Sequence, residues 1–451
     1  MSWRIGVLAG VMVLAGGWQP ARAQAIAERR TNLDGFHVYS GSTYTGYVSL
    51  GLPNANYNYL LGAVPAGPDF EWGGAISVGW RRSRPRSSLS LIYDPSYSAL
   101  ARHSEWNAAS HRVSFTASRR FAGKWEIRAG ANGSVTSLYQ FLFSPSSLSS
   151  AVGIPTSFDQ LAGAMVSGRF TNEQLASVLT GAPGLEAPGR TTLYGNRVLT
   201  GSANSLVSYT KSRHFLVRFG GGASHDQPLS SPKTSGVIAA QGLLPRTTSA
   251  NATAGFSYSP TARSNLGIDA TATRTTSYIQ DAYTTKVLGS IGRRVGKRWF
   301  LKGQAGPAWI TSLRQSYHAL PAGLQYAAGG SIGFGTSTQR LLATIDRTPS
   351  DAYGTGAQNT LSASAAWSWR RLGSAWTLSS SVRQQQIRGT YQNLDGWMVT
   401  GAVSRALAAR TDVQISYTYL NNSGMYLGAA QQIEVNAVQL SFIWREQRQP
   451  R

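Results

Sequence analysis

The chain has 451 residues, with 42 Lys and Arg against 19 Asp and Glu, a formal net charge of +23 and no cysteine. Charged residues make up only 14% of it, against roughly 25% in an ordinary soluble domain. That balance excludes disulfide scaffolds, Cys-zinc sites, thiol catalysis and a lipidated N-terminal Cys, and it argues against a soluble helical enzyme and a charged disordered tail.

Residues 1–23 read as a secretory signal peptide. Arg4 supplies the positive start, Ile5–Gly17 an apolar stretch too short for a comfortable membrane helix, and Ala21-Arg22-Ala23 an A-x-A cleavage site before Gln24. Export sets nucleic acid aside as a partner, despite the basic balance. Residues 24–36 form an N-terminal segment placed in the periplasm. No later run of 18 apolar residues offers a membrane helix.

From residue 37 to 445 the dominant signal is period-2 alternation. Val413, Ile415, Tyr417 and Tyr419 interleave with Asp412, Gln414, Ser416 and Thr418; Trp125, Ile127, Ala129 and Ala131 interleave with Lys124, Glu126, Arg128 and Asn132, with Gly130 on the same face. Successive strand side chains face opposite ways, so each segment carries one apolar and one polar or small face. The segments run about 9–13 residues, long enough to cross a bilayer at a tilt, whereas sandwich strands average about 5–6. Aromatic residues such as Trp72, Trp80, Trp299, Trp309, Trp367, Trp369, Phe442 and Trp444 close the apolar faces, as interfacial girdles do.

In chain order the strands fall near 37–50, 71–81, 87–94, 109–120, 124–138, 200–211, 214–224, 249–258, 265–277, 283–293, 299–311, 325–337, 339–347, 359–370, 376–386, 396–406, 412–421 and 433–445. Tight turns and longer loops alternate between them, with the tight turns and both chain ends on one side. A spanning sheet has no water for a free edge and must close on itself. The expected fold is therefore all-β: a transmembrane antiparallel up-and-down β-barrel of about 18 strands, with 16 the alternative if two weak segments are misread. The longest connection, 139–199, carries two capping-box patterns, Ser157-Phe-Asp-Gln160 and Thr171-Asn-Glu-Gln174, each followed by apolar residues at helical spacing. It reads as a partly helical insert, either a constriction or cap of the barrel or a small surface subdomain. Residues 446–451 form a C-terminal tail.

Over nearly all of 37–445 this pattern resembles bacterial outer-membrane β-barrel proteins of the porin type. The final strand, Val438-Gln-Leu440-Ser-Phe442-Ile-Trp444, is similar to the aromatic-closed last strands that the barrel assembly machinery reads, although a tail follows it here. The resemblance implies a place in the outer membrane of a Gram-negative-type envelope, with the lipid bilayer, outer-membrane lipids and the assembly machinery as partners. It also implies a porin-like channel for small hydrophilic solutes. The alternative is a structural or surface-display barrel whose loops bind a partner without transport. No cofactor is expected, and nothing in the sequence marks a subunit contact.

Charge divides between rim and interior. The windows 81–86, 119–124, 211–214, 259–264, 293–298, 337–340, 370–375 and 405–411 hold 19 Lys or Arg and no Asp or Glu. That rim is expected either to meet anionic headgroups or anionic solutes, or simply to be solvated. Charge on the lipid face at mid-bilayer costs ~2–4 kcal/mol, so Arg112, Glu126, Arg128, Arg218, Asp269, Lys286, Lys302, Arg383 and Asp412 are the expected pore-lining residues. Six basic against three acidic groups predicts a weak anion preference.

Signals for chemistry are thin. The histidines, His37, His103, His111, His214, His225 and His318, lack metal-site spacing. His225-Asp226 is read as a pair in a long loop, and Ser is too frequent for its proximity to mean anything. Gly329-Gly-Ser-Ile-Gly333-Phe-Gly335 lies on a strand with neither a Lys nor a following helix, so it is not a phosphate loop. No metal site and no catalytic residues are assigned.

Overall fold

The computed structural model describes residues 41–54, 69–84, 86–101, 108–137, 197–212, 214–229, 246–278, 280–315, 323–336, 338–350, 358–370, 375–389, 392–408, 411–426 and 429–445. The readings for 1–23, 24–36, most of the 139–199 insert and 446–451 lie outside the described residues.

Within the described residues the structure is an antiparallel sheet of 18 strands. They are β1 (Gly41–Asn54), β2 (Asp69–Arg84), β3 (Ser87–Leu100), β4 (Ala108–Phe121), β5 (Trp125–Ser137), β6 (Arg197–Ser212), β7 (Phe215–Leu229), β8 (Thr247–Thr261) and β9 (Ser264–Thr276), followed by β10 (Gln280–Val295), β11 (Trp299–Gln315), β12 (Gly323–Gly335), β13 (Gln339–Ser350), β14 (Gln358–Arg370), β15 (Trp376–Gly389), β16 (Gln392–Ala408), β17 (Thr411–Tyr426) and β18 (Ala429–Arg445). Each strand pairs with its neighbours in sequence, and β1 pairs with both β2 and β18, from Thr43↔Arg445 to Asn54↔Glu434. The ring of pairings leaves no edge among the described strands, which is what a sheet in hydrocarbon requires. The strand order and the count of 18 agree with the sequence pattern.

Two features of the expected layout change. Several strands run further than their apolar faces do: β3 continues to Leu100, β7 to Leu229 and β17 to Tyr426. Consequently three connections expected to be longer loops shrink to 277–279, 390–391 and 427–428, and the strict short-long alternation fails. Backbone pairing does not need an apolar side chain, so ladders extend past the greasy band into water, where periodicity no longer marks them. The same extension places His225 and Asp226 on β7 rather than in a loop.

Local chemistry explains the turns at the end that carries both β1's start and β18's finish. Between β4 and β5, Ala122 and Gly123 both have positive φ, 48° and 69°, the backbone twist that a tight hairpin demands. Gly296, with φ 62°, serves the β10–β11 turn in the same way. In mid-barrel, Pro307 on β11 has no N–H to donate, and the β10–β11 ladder breaks opposite it between Lys286 and Gly289.

Candidate functional site

The two faces of the wall differ in kind. On one lie Ile76 and Val78, Leu91 and Tyr93, Ile268 (56% exposed), Ile291 (58%), Leu324 (68%) and Ile415 (55%). On the alternate positions of the same or adjoining strands lie Ser110, Ser114 and Thr116, Ser257, Asn265, Thr275, Ser331, Thr344, Gln414, Ser416, Thr418, Gln439 and Ser441, all largely covered. Cross-strand hydroxyl pairs tie the polar face together: Ser90–Thr116 at 2.6 Å, Ser134–Thr200 at 2.7 Å and Thr344–Ser364 at 2.7 Å. Isoleucines bared at more than half their surface around a ring are stable only against acyl chains. The barrel therefore spans a bilayer with its apolar face out and its polar face in.

Aromatic residues crowd the short-turn end of the lipid face. Phe121 stacks on Trp125 at 6.3 Å, Trp125 tilts against Tyr209 at 4.6 Å, and Trp299 tilts against Phe334 at 4.6 Å. At the opposite end, Trp72 meets Tyr97 edge-on at 6.1 Å and the Arg347 guanidinium lies over the Tyr326 ring at 3.9 Å. Amphipathic rings belong at the headgroup level.

By strand parity, all nine charged residues expected in the pore, Arg112, Glu126, Arg128, Arg218, Asp269, Lys286, Lys302, Arg383 and Asp412, stand opposite the apolar face. The structure joins several of them. The Arg128 Nε donates to the Glu126 carboxylate at 2.8 Å, and Arg120 approaches the other oxygen at 3.8 Å. Arg112 sits directly across from Asp94. The Arg218 guanidinium reaches over β8 to donate to Asp269 on β9 at 2.6 Å. That reach depends on Gly255, which is in register with both residues. A Cβ there would run into the Asp269 carboxylate and come within 3.2 Å of Arg218. The Lys302 ammonium, on β11, interacts electrostatically with Asp269, Arg218 and Asp346, and Gln304 donates to Asp346 at 3.4 Å. One arc of the interior wall, β7 to β13, thus carries alternating charge.

Sequence reasoning missed three inward acids: Asp94, Asp226 and Asp346. Asp94 ends the apolar run of β3, Asp226 falls in a segment read as loop, and Asp346 shares its strand face with Thr344 but was not singled out. With them, six inward acids stand against the six inward bases expected from the sequence. The inward excess of positive charge sits instead at the short-turn end, where Arg120, Arg294, Arg340 and Arg370 occupy inward positions on β4, β10, β13 and β14.

The interior is not uniformly polar. Phe300 is fully covered and its ring lies on Gly333 of the paired strand, where any Cβ would overlap it. Leu342, in register with Gly333, is 1% exposed. An aromatic ring laid over a strand glycine fills the gap that the missing side chain leaves.

His111 accepts from or donates to the Tyr93 hydroxyl at 2.8 Å, His214 meets the Ser259 carbonyl at 2.6 Å, and His225 meets Thr248 at 2.9 Å and Arg246 at 3.3 Å. His37, His103 and His318 lie outside the described residues. Among the described residues no three His, Cys, Asp or Glu gather as a metal site would need.

This is the architecture of a transmembrane antiparallel β-barrel. Among solved structures, the chain is similar to Pseudomonas aeruginosa OccK2 (OpdF) in complex with glucuronate, at 11% identity over 92% of this chain and 100% of that one, with a TM-score of 0.46. It is also similar to Pseudomonas aeruginosa OpdQ, at 9% identity over 91% and 97% of the two chains and a TM-score of 0.44, and to the outer membrane protein opdK of the same organism, at 9% identity over 90% and 99% and a TM-score of 0.42. No family model matches the chain, and no curated protein matches it.

Proposed function

We propose that this protein is an outer-membrane channel that admits small hydrophilic solutes with a weak preference for anions, its wall charges acting as pore-lining groups. The observation that carries the reading is the segregation of the wall, with exposed Ile, Leu and Val outside and Ser, Thr, Gln and ion-paired residues inside. Large barrels with a polar inner face enclose an aqueous lumen. Arg112, Arg128, Arg218, Lys286, Lys302 and Arg383 with Glu126, Asp269 and Asp412 then set the field met by a permeating ion. Because Asp94, Asp226 and Asp346 offset the other inward bases in number, the anion preference rests on the inward arginines at the short-turn end. Orientation follows the usual plan, with short turns and chain ends in the periplasm.

The test is stepwise conductance in a planar bilayer with the purified protein, with ion preference read from the reversal potential under a salt gradient. Persistent silence from correctly folded protein rejects the channel. A reversal potential of the cation-selective sign rejects the preference.

A further inference from the structure

The basic residues of the tight turns do not form one class. Those in the turns proper, such as Arg86, Lys124, Lys297 and Arg298, are exposed. Others stand on strand positions of the lipid face: Arg82 on β2, across from Leu89, is half-buried, and four are exposed, Arg119 on β4, Lys211 on β6, Arg293 on β10 and Arg405 on β16. Arg293 lies between Ile291 (58% exposed) and Val295 (45%), directly across from Leu301 (44%). Arg405 lies between Val403 (40%) and Leu407 (48%), with its guanidinium 5.1 Å from the centre of the exposed Trp376 ring. The Lys211 ammonium is 5.9 Å from the Phe215 ring. Arg119 sits between Ala117 and Phe121, across from Ile127 (40%).

Each of these four exposed residues is a cation flanked by lipid-facing side chains, at the height of the aromatic girdle. A long basic side chain in that setting lies along the apolar surface and delivers its charge to the phosphate level. The acids described at this end, Glu126 and Asp412, occupy inward positions and leave that outer belt without negative charge. At the opposite end the outward cations Arg274 and Arg388 are matched by Asp281 and Asp395, at 2.8 and 2.7 Å, and Arg347 is held against the ring and hydroxyl of Tyr326. The belt is therefore one-sided, and its charge complement is a phosphodiester.

From this placement, and resting on the bilayer-spanning reading, we infer that Arg119, Lys211, Arg293 and Arg405 form an outward-facing belt that recruits anionic phospholipid headgroups from the leaflet on the short-turn side. The occupant is the lipid headgroup rather than a soluble anion, because the four side chains share their surface with acyl chains and not with the lumen.

The chain's lack of cysteine allows a local probe. Val403→Cys, beside Arg405 on the lipid face, is labelled with an environment-sensitive fluorophore. The full protein is reconstituted, and quenching is compared between acyl-brominated phosphatidylglycerol and acyl-brominated phosphatidylcholine. Flotation with the vesicles comes first; protein that does not float refutes the bilayer-spanning reading itself. In floated protein the expected preference for phosphatidylglycerol is about fivefold per basic group at low salt. It falls towards one in Arg405→Gln or at high salt, and it is retained when Lys297 and Arg298 are changed to Gln. Leu313→Cys, at the other end of the lipid face (54% exposed), shows no preference. Equal quenching by the two lipids, a preference unchanged by Arg405→Gln, or competition by millimolar glycerol 3-phosphate in the buffer overturns the proposal.

Discussion

Replacing Asp269 by Asn removes one negative charge from the interior arc and leaves Arg218 and Lys302 without that neighbour. The Arg218–Asp269 contact is short, 2.6 Å, but the Asp269 side chain is 41% exposed. Arg218 is the less exposed partner, at 13%, so the stability cost of losing the pair falls between the about 0–1 kcal/mol of a surface pair and the about 3–5 kcal/mol of a buried one; the heat-modifiable folded band shows which variants fold before permeation is measured. A unit charge acts on an ion passing at ~6 Å in a water-like dielectric with about 0.7 kcal/mol, and physiological salt cuts this roughly in half. Anions and cations shift in opposite directions, so the anion-to-cation permeability ratio should rise about threefold, at 1.4 kcal/mol per factor of ten. Reversal potentials under a salt gradient in planar bilayers measure it. Arg218→Gln should move the ratio the other way, and Asp269→Asn with Arg218→Gln should restore it. A ratio that stays fixed in all three variants, or that moves towards cations in Asp269→Asn, refutes the placement of this pair in the conducting path.

Gly333→Ala forces a methyl into the Phe300 ring and should cost about 1–3 kcal/mol, read as a lower temperature for loss of the heat-modifiable folded band. Phe300→Ala added to it should cost less than the two single changes summed, and full additivity contradicts the contact. Ile268→Arg on the bared outer face should weaken folding into liposomes by about 2–4 kcal/mol if the site is near mid-bilayer, whereas Asn251→Ser, exposed on the inner face of the neighbouring strand β8, should change it by less than about 1 kcal/mol. An Arg86→Cys variant, in the β2–β3 turn, should react with a thiol reagent too large to pass the channel only from the periplasmic side; labelling of intact cells would reverse the orientation.

Much of the wall could be read directly. Residues 412–419 or 125–131 announce their faces because hydrocarbon punishes a polar side chain on the outside, so alternation is enforced wherever the strand is in the bilayer. The nine interior charges follow from the same rule. Asp94 and Asp226 were less visible because they stand beyond the apolar band, where either face is wet and the alternation lapses; the lengths of β3, β7 and β17 were underestimated for that reason. The division of the rim cations into a solvated set and a lipid-facing set could not be read either, since a turn window in sequence does not say which residues still belong to a strand.

Sequence alone determined the order of the strands and which face of each is greasy, and narrowed their number to 18 or 16, because those depend on periodicity two, a property of the covalent chain in an extended conformation. Tertiary structure decided who meets whom across the ring. The alignment of β1 on β18, from Thr43 opposite Arg445, the reach of Arg218 over Gly255 to Asp269 and the seat of Phe300 on Gly333 depend on register between strands, whereas closure itself was legible beforehand. Register is set by cooperative closure of the whole sheet, which no local stretch of residues encodes.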